Sequence, residues 1–331
     1  MRFDEPGMAG SACQLSLKRA SLFAVLAALC WHCSMANFAS AQQLYKYRGE
    51  NGEWIYSDRP PGDNRTVEVR RLARAVADGN VDVSHSFVGT TLELTARNDY
   101  HAPVELRIEI AALRGLSYPD PDQEMTWVLP PRSTTMLLQL GLLENGQAPF
   151  LEYGFRYMPG DPGARHSPPS PYRAPFAIST DYPITQAYPD VVTHAAPDSY
   201  HAVDIAMPIG TDVFAARGGI VFDVASTNFQ GGLDMQRDGP AANVVRILHD
   251  DGSYAVYAHL NTNTIRVRPG DRVERGDYIA DSGNTGYSSG PHLHFVVVRN
   301  VGMRVESVPV TFLGPDALGV APVAGTTLTA Y

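Results

Sequence analysis

The sequence predicts a mainly β protein, with a domain of antiparallel sheet over residues 181–314, a β-sandwich-like domain over 67–180 and a small hairpin module over 42–66. Three observations carry this. From residue 67 onward the apolar runs are short, alternate with polar residues and end at Gly, Pro, Asn or Asp. No extended stretch repeats its apolar residues at helical spacing. Turn signals of the hairpin kind, Glu50-Asn51-Gly52, Gly218-Gly219 and Asp251-Gly252, separate neighbouring runs.

Residues 1–41 stand outside that fold. Lys18 and Arg19 precede the apolar run from Leu22 to Leu29, and Ala39-Ser40-Ala41 offers a small-residue cleavage site before Gln42. The apolar run is broken by His32 and Asn37 and falls short of the roughly 20 residues that a span needs. A cleaved signal peptide is expected, so the mature chain is periplasmic or secreted. All three cysteines, Cys13, Cys30 and Cys33, lie in that leader. Disulfides, thiolate nucleophiles and cysteine metal sites are thereby excluded from the mature chain. Lys18 and Lys46 are the only lysines, which excludes amine chemistry from its body. Loss of Arg2, Lys18, Arg19, Asp4 and Glu5 takes the formal charge from -9 to -10, which argues against nucleic acid or anionic lipid as a partner. No later stretch is apolar enough to span a membrane.

The hairpin module places two aromatic-rich runs, Leu44 to Tyr47 and Trp54 to Tyr56, around its turn and closes at Pro60-Pro61. Its KY…G…YSD…PP pattern resembles a short N-terminal domain of many exported proteobacterial proteins. Over 67–180, runs such as VELRIEIAAL, STTMLLQLG and FLEYGFRYM suggest an immunoglobulin-like sandwich, a surface on which a protein partner could dock. His85, His101 and His166 lack a carboxylate at ligand spacing and read as surface residues. Residues 160–175, rich in Pro, Gly, Ser and Arg, read as a linker, and 315–331 as a tail.

The last third carries six of the ten histidines: His194, His201, His249, His259, His292 and His294. Its strands include VFAARGGIVFDV around a Gly-Gly turn and a hairpin, VVRILHDDGSYAVYAHL, turning at Asp251-Gly252. In GNTGYSSGPHLHFVVV, Leu293 and Phe295 suit a core, so His292 and His294 project from the opposite face. His249, beside its turn, reads as an ordinary hydrogen-bonded histidine. Several histidines and Asp204 without cysteine fit a catalytic zinc site, in which two His and one carboxylate leave a position open for water. Iron would also accept such ligands, but the His-x-Asp spacing of its oxygenases is absent. A lipoyl-like reading of PGDRVERGDYIADSG fails for want of a lysine at the turn.

The strings HAVDIAMPIGTDVFAARGGIV, YAHL, VRPGDRVERGDYIADSGNTG and SSGPHLHF, in this order over about 120 residues, resemble the lysostaphin/LytM-type zinc metallopeptidases, which cut peptide bonds of bacterial peptidoglycan. The resemblance implies a LytM-like peptidase domain over 181–314, one Zn2+ per chain and peptidoglycan peptides as substrate. It implies that Asp204 and His294 bind the metal while His292 and His259 are catalytic. The family's common histidine four residues before the aspartate is Tyr200 here. His201 stands three before Asp204, a separation that would face it away in an extended strand. The periplasmic branch that this chain resembles has a Ser-His or Thr-His and a short insertion before its Tyr-Ala-Val-Asp-like strand, which points to His194 as third ligand with His201 as the alternative. A non-catalytic wall-binding or hydrolase-activating protein on the same fold is the rival reading.

Overall fold

The structure, a computed structural model, describes residues 43–48, 54–57, 66–71, 79–119, 124–144, 146–190 and 192–331. The expected leader over 1–41 lies outside the described residues. The chain divides into two compact units, Met1–Arg71 and Leu72–Tyr331. In the first, β1 (Gln43–Arg48), β2 (Trp54–Ser57) and β3 (Val67–Arg71) form an antiparallel sheet in the order β2-β1-β3. β1 and β2 are the strands of the expected hairpin. β3 comes from residues expected to open the next domain, because apolar alternation marks a strand without saying which sheet it joins.

In the second unit, β4 (Val81–Val88), β5 (Thr91–Asn98), β6 (Val104–Arg114), β7 (Thr126–Leu129), β8 (Ser133–Gly141) and β9 (Phe150–Pro159) make two three-stranded antiparallel sheets, β4-β5-β8 and β7-β6-β9. Alternate residues of both sheets, Leu92, Leu94 and Ala96 from β5 with Val104, Leu106 and Ile108 from β6, share one apolar cluster.

The remaining strands are β10 (Asp181–Gln186), β11 (Val203–Ile205), β12 (Asp212–Phe214), β13 (Gly219–Ala225), β14 (Gly231–Gly232), β15 (Val244–Leu248), β16 (Tyr254–Ala258), β17 (Arg272–Val273), β18 (Tyr278–Asp281), β19 (Gly286–Tyr287), β20 (Leu293–Asn300), β21 (Val305–Val308), β22 (Phe312–Leu313), β23 (Gly319–Val320) and β24 (Thr327–Thr329). Nine of them form one sheet, β17-β13-β15-β16-β20-β11-β10-β24, with β21 also on β20. Along β20, Leu293, Phe295 and Val297 enter the main core with Val203 and Ile205 of β11 and Tyr257 of β16. The intervening residues take the other face, where Val296 and Val298 cluster with Ala202, Phe222, Tyr254 and Ala102. Ala102 lies between β5 and β6, so the preceding domain covers the far part of the face that carries His294. Glu105 pins that contact: its Oε2 accepts hydrogen bonds from Asn300 Nδ2 at 2.8 Å and the Met303 amide at 2.6 Å.

Several expectations change. Residues 160–175 are not a free linker, since Tyr172, Ala174 and Phe176 on and just beyond this stretch enter the main core and the Tyr172 amide donates to Thr311 O at 2.9 Å. Residues 315–331 are not a loose tail, because β24 pairs with β10. The Gly218-Gly219 pair does not turn a hairpin: β12 pairs with β18 and β13 with β15 and β17. A Cβ on Gly219 would lie 2.1 Å from Leu248 O, so glycine there admits close strand approach. His85 is exposed, but His166 is half-buried with its Nε2 3.2 Å from Tyr172 Oη, and the His101 ring lies against Gly270.

His249 is buried, with Nδ1 2.9 Å from Gly218 O. Burial pushes its pKa from 6.5 down to about 4. Above pH 6.5 the ring is neutral in folded and unfolded chains and contributes no pH dependence. Between 6.5 and 4 the unfolded chain takes up a proton that the folded one refuses, so stability falls as pH falls, by up to about 3 kcal/mol. His249→Asn, whose amide nitrogen can stand in for Nδ1, is expected to lose that part of the acid dependence in urea unfolding curves recorded from pH 7 to 4.

Candidate functional site

Strand register assembles the site. Gln186 pairs with Asp204 across β10 and β11, Asp204 with His294 across β11 and β20, and His294 with Ala258 across β20 and β16. Residues directly opposite in antiparallel strands share a face with Cβ atoms about 4.5–5.5 Å apart, so the four form one row across the sheet. Asp204 Oδ1 lies 2.9 Å from His294 Nδ1. Its Oδ2 lies 3.2 Å from Nε2 of His194, which descends from the loop between β10 and β11. Asp204 and His194 are each 4% exposed. One ligand atom each from His194, Asp204 and His294 lie within 4.8 Å of one another.

His259 follows the last residue of β16, where strict alternation would turn it toward the opposite face. Its φ of 61° breaks the alternation, and its ring meets His292 at 4.5 Å and His294 at 5.8 Å between centroids. Such a left-handed residue is uncommon outside glycine and costs about 1–3 kcal/mol, which the surroundings must offset. They do so through a hydrogen bond from His259 Nδ1 to Thr285 O at 2.7 Å. Thr285 is fixed in turn, donating from Oγ1 to Leu260 O and accepting from the amide of Asn243, which is fully buried. Gly283 allows this packing: a Cβ there would lie 2.6 Å from Asn261 N and 2.8 Å from His259 O. The glycine-rich stretch thus does more than turn the chain.

His292 precedes β20, with Nδ1 2.8 Å from Gly290 O and Nε2 3.7 Å from Asp204 Oδ1. In neutral His259 and His292, an Nδ1 facing a carbonyl carries the proton and leaves Nε2 as an acceptor. His201, the alternative ligand, is not in the group; its ring packs on Tyr188 and Tyr200. Sequence reasoning missed Gln186. Its Nε2 donates to Asp204 Oδ2 at 2.6 Å, and its Oε1 accepts from the Val192 and Thr193 amides at 2.8 and 2.9 Å. It therefore holds both the carboxylate and the segment leading into His194. No sequence signal marks it, because only strand register brings it beside Asp204.

The electrostatics suit a cation. Burial acts to raise the Asp204 pKa, but hydrogen bonds with His194 and His294 outweigh it and hold the carboxyl well below its usual range, hence ionised. Burial, reinforced by the neighbouring His294 and His292, lowers His259 to about 3, so it is neutral near pH 7. Buried His194 Nδ1 has no hydrogen-bond partner. Two imidazoles and one carboxylate without cysteine can hold a divalent metal and leave a coordination position open.

Residues 198–307 match the model of peptidase family M23. The peptidoglycan DD-endopeptidase ShyA of Vibrio cholerae is 34% identical over 143 residues, 42% of this chain and 29% of that protein. The glycyl-glycine endopeptidase ALE-1 of Staphylococcus capitis is 36% identical over 103 residues, 31% of this chain and 25% of that one. The chain thus spans only about a quarter of the length of these curated relatives. The solved catalytic domain of the antimicrobial peptidase lysostaphin from Staphylococcus simulans aligns at 30% identity over 37% of this chain and 81% of that one, with a TM-score of 0.27.

Gln186→Leu keeps the side chain's bulk and removes its hydrogen bonds. It is expected to weaken divalent-metal binding by about 10- to 100-fold, the usual effect of losing an outer partner of a ligand. Chelator competition measures this, with a thermal unfolding midpoint close to that of the parent.

Proposed function

We propose that the chain uses its peptidase family M23 domain, residues 198–307, as an exported zinc metalloendopeptidase that hydrolyses cross-links or stem peptides of bacterial peptidoglycan. The observation that carries this reading is the group of buried His194 and Asp204 with partly buried His294, and the imidazoles of His259 and His292 beside it. The names of the relatives supply the substrate class, and the leader-like residues 1–41 support export. Among the described residues no helix is long and apolar enough to cross a membrane.

His194, Asp204 and His294 are assigned as the ligands, and Gln186 as the residue that orients Asp204. Zinc held by these residues would lower the pKa of a bound water from 15.7 to about 7 and act as a Lewis acid toward the scissile carbonyl. His292 directs its Nε2 toward Asp204 and the His259 ring lies against it, so these two imidazoles would orient the water and take its proton. The proton then passes to the amine nitrogen as the C–N bond breaks, while the hydroxyl stays on the acyl carbon. The imidazolium formed in between also stabilises negative charge on the carbonyl oxygen.

Purified protein is expected to carry one zinc per chain and to solubilise purified peptidoglycan, with chelation abolishing the activity. His294→Ala should lose metal and activity together. His292→Ala should keep its metal and lose about 10²- to 10⁴-fold in rate, the range for a general acid or base. Wild-type protein with no zinc and no effect on peptidoglycan would favour a non-catalytic wall-binding role. Hydrolysis surviving in both variants would overturn the residue assignment.

A further inference from the structure

His201 belongs to a surface cluster that the peptidase reading does not use. Its ring lies 4.9 Å from Tyr188 and 5.4 Å from Tyr200, and the two tyrosine rings are 5.0 Å apart. Tyr188 is 47% exposed and Tyr200 43%. Two large aromatic side chains this exposed and in mutual contact have apolar area left uncovered. Beside them is a cavity of about 320 Å³ lined by Ala195, Pro197, Tyr200, His201, Glu306 and Ser307.

The cavity is built on a fixed frame. The Ser307 amide and Oγ both donate to Pro197 O at 2.8 Å, and Ser307 Oγ accepts from the His201 amide at 3.0 Å. Turns from Ser199 N to Ala196 O and from Ala202 N to Ser199 O close the loop between them. A binding surface held in this way loses little freedom when occupied.

We propose that this cavity binds one pyranose ring of an N-acetylated amino-sugar chain, the glycan to which peptidoglycan peptides are attached. A pyranose has an apolar C–H face and a rim of hydroxyls. The Tyr200 ring, extended by Tyr188 packed against it at the cavity's edge, suits the first, while the Glu306 carboxylate and the His201 ring nitrogens suit the hydroxyls and the acetamido N–H. The volume is at the low end of small-molecule sites, roughly 300–1,000 Å³, and matches a single ring. Location agrees: Tyr188 is two residues beyond Gln186 and His201 three before Asp204. At about 3.5 Å per residue, these backbones lie within roughly 7 and 11 Å of the metal-site row. A sugar held here keeps its attached peptide near the reacting centre.

The choice of sugar rests on the peptidoglycan reading, but the test needs no turnover, so the two are scored separately. Titration calorimetry of the full chain with tri-N-acetylchitotriose is expected to show binding. Tyr200→Ala is expected to weaken it about fivefold or more, on the scale of losing one aromatic contact. Tyr188→Ala repeats the measurement at a second ring should either variant lose its fold. Phe87→Ala, at an exposed position on β4, should leave binding unchanged, and maltotriose, without acetamido groups, should bind at least fivefold more weakly. No binding by the wild type, equal binding by both tyrosine variants, an equal effect of Phe87→Ala or equal affinity for maltotriose overturns the proposal. A wild type that binds the sugar without cleaving peptidoglycan sinks the hydrolase reading and leaves the sugar site standing.

Discussion

The site depends on the pairing of β11 with β20, which sets Asp204 directly opposite His294. A slip of one residue would send Asp204 into the main core and bring Val203 or Ile205 to the face that carries His294. The core resists that slip. Val203, Ile205, Leu293 and Phe295 are all fully buried on the far face, so a misregistered strand would bury a carboxylate and expose apolar side chains. Each Leu, Ile or Phe exposed in this way loses about 1.5–3 kcal/mol. The packing that stabilises the sheet therefore also positions the chemistry.

Around that row the chain arranges groups that would be unfavourable singly. An ionised carboxylate at 4% exposure is costly without partners, and here it has His194, His294 and Gln186. A left-handed histidine is strained, and it is held by Thr285, Asn243 and the close approach of Gly283. The two problems meet at one point: the turn that supplies Thr285 also leads into His292, so the glycine-rich stretch holds one imidazole and delivers another.

The domain formed by β4–β9 is not a detached module. Its Ala102 clusters with Val296 and Val298, on the face of β20 that bears His294, Tyr100 packs against the same cluster, and Glu105 bonds to Asn300 at the strand's end. His294 and Val296 are two residues apart, about 7 Å along a strand. That face is therefore open at one end, where the imidazoles gather, and covered at the other.

Much of this was legible in the sequence because its signals are local. Alternation marked the strands, the Asp251-Gly252 turn marked the hairpin of β15 and β16, and the flanking Leu293 and Phe295 placed His294 on the face away from the core. Motif order brought Asp204, His259, His292 and His294 together before any coordinates. What could not be read was anything set by partners distant in the chain. Apolar alternation did not say that β3 would join β1, that β13 would leave β12, or that β24 would complete the sheet. Spacing left His194 and His201 as alternatives; in the tertiary structure the His194 ring lies on a buried carboxylate and the His201 ring against two exposed tyrosines. Gln186 had no signal, since its proximity to Asp204 arises from the pairing of two strands. Sequence alone determined the residue types and their faces, which follow from the two-residue period of a strand; only the fold decided who meets whom, because register is chosen by the packing of the whole sheet.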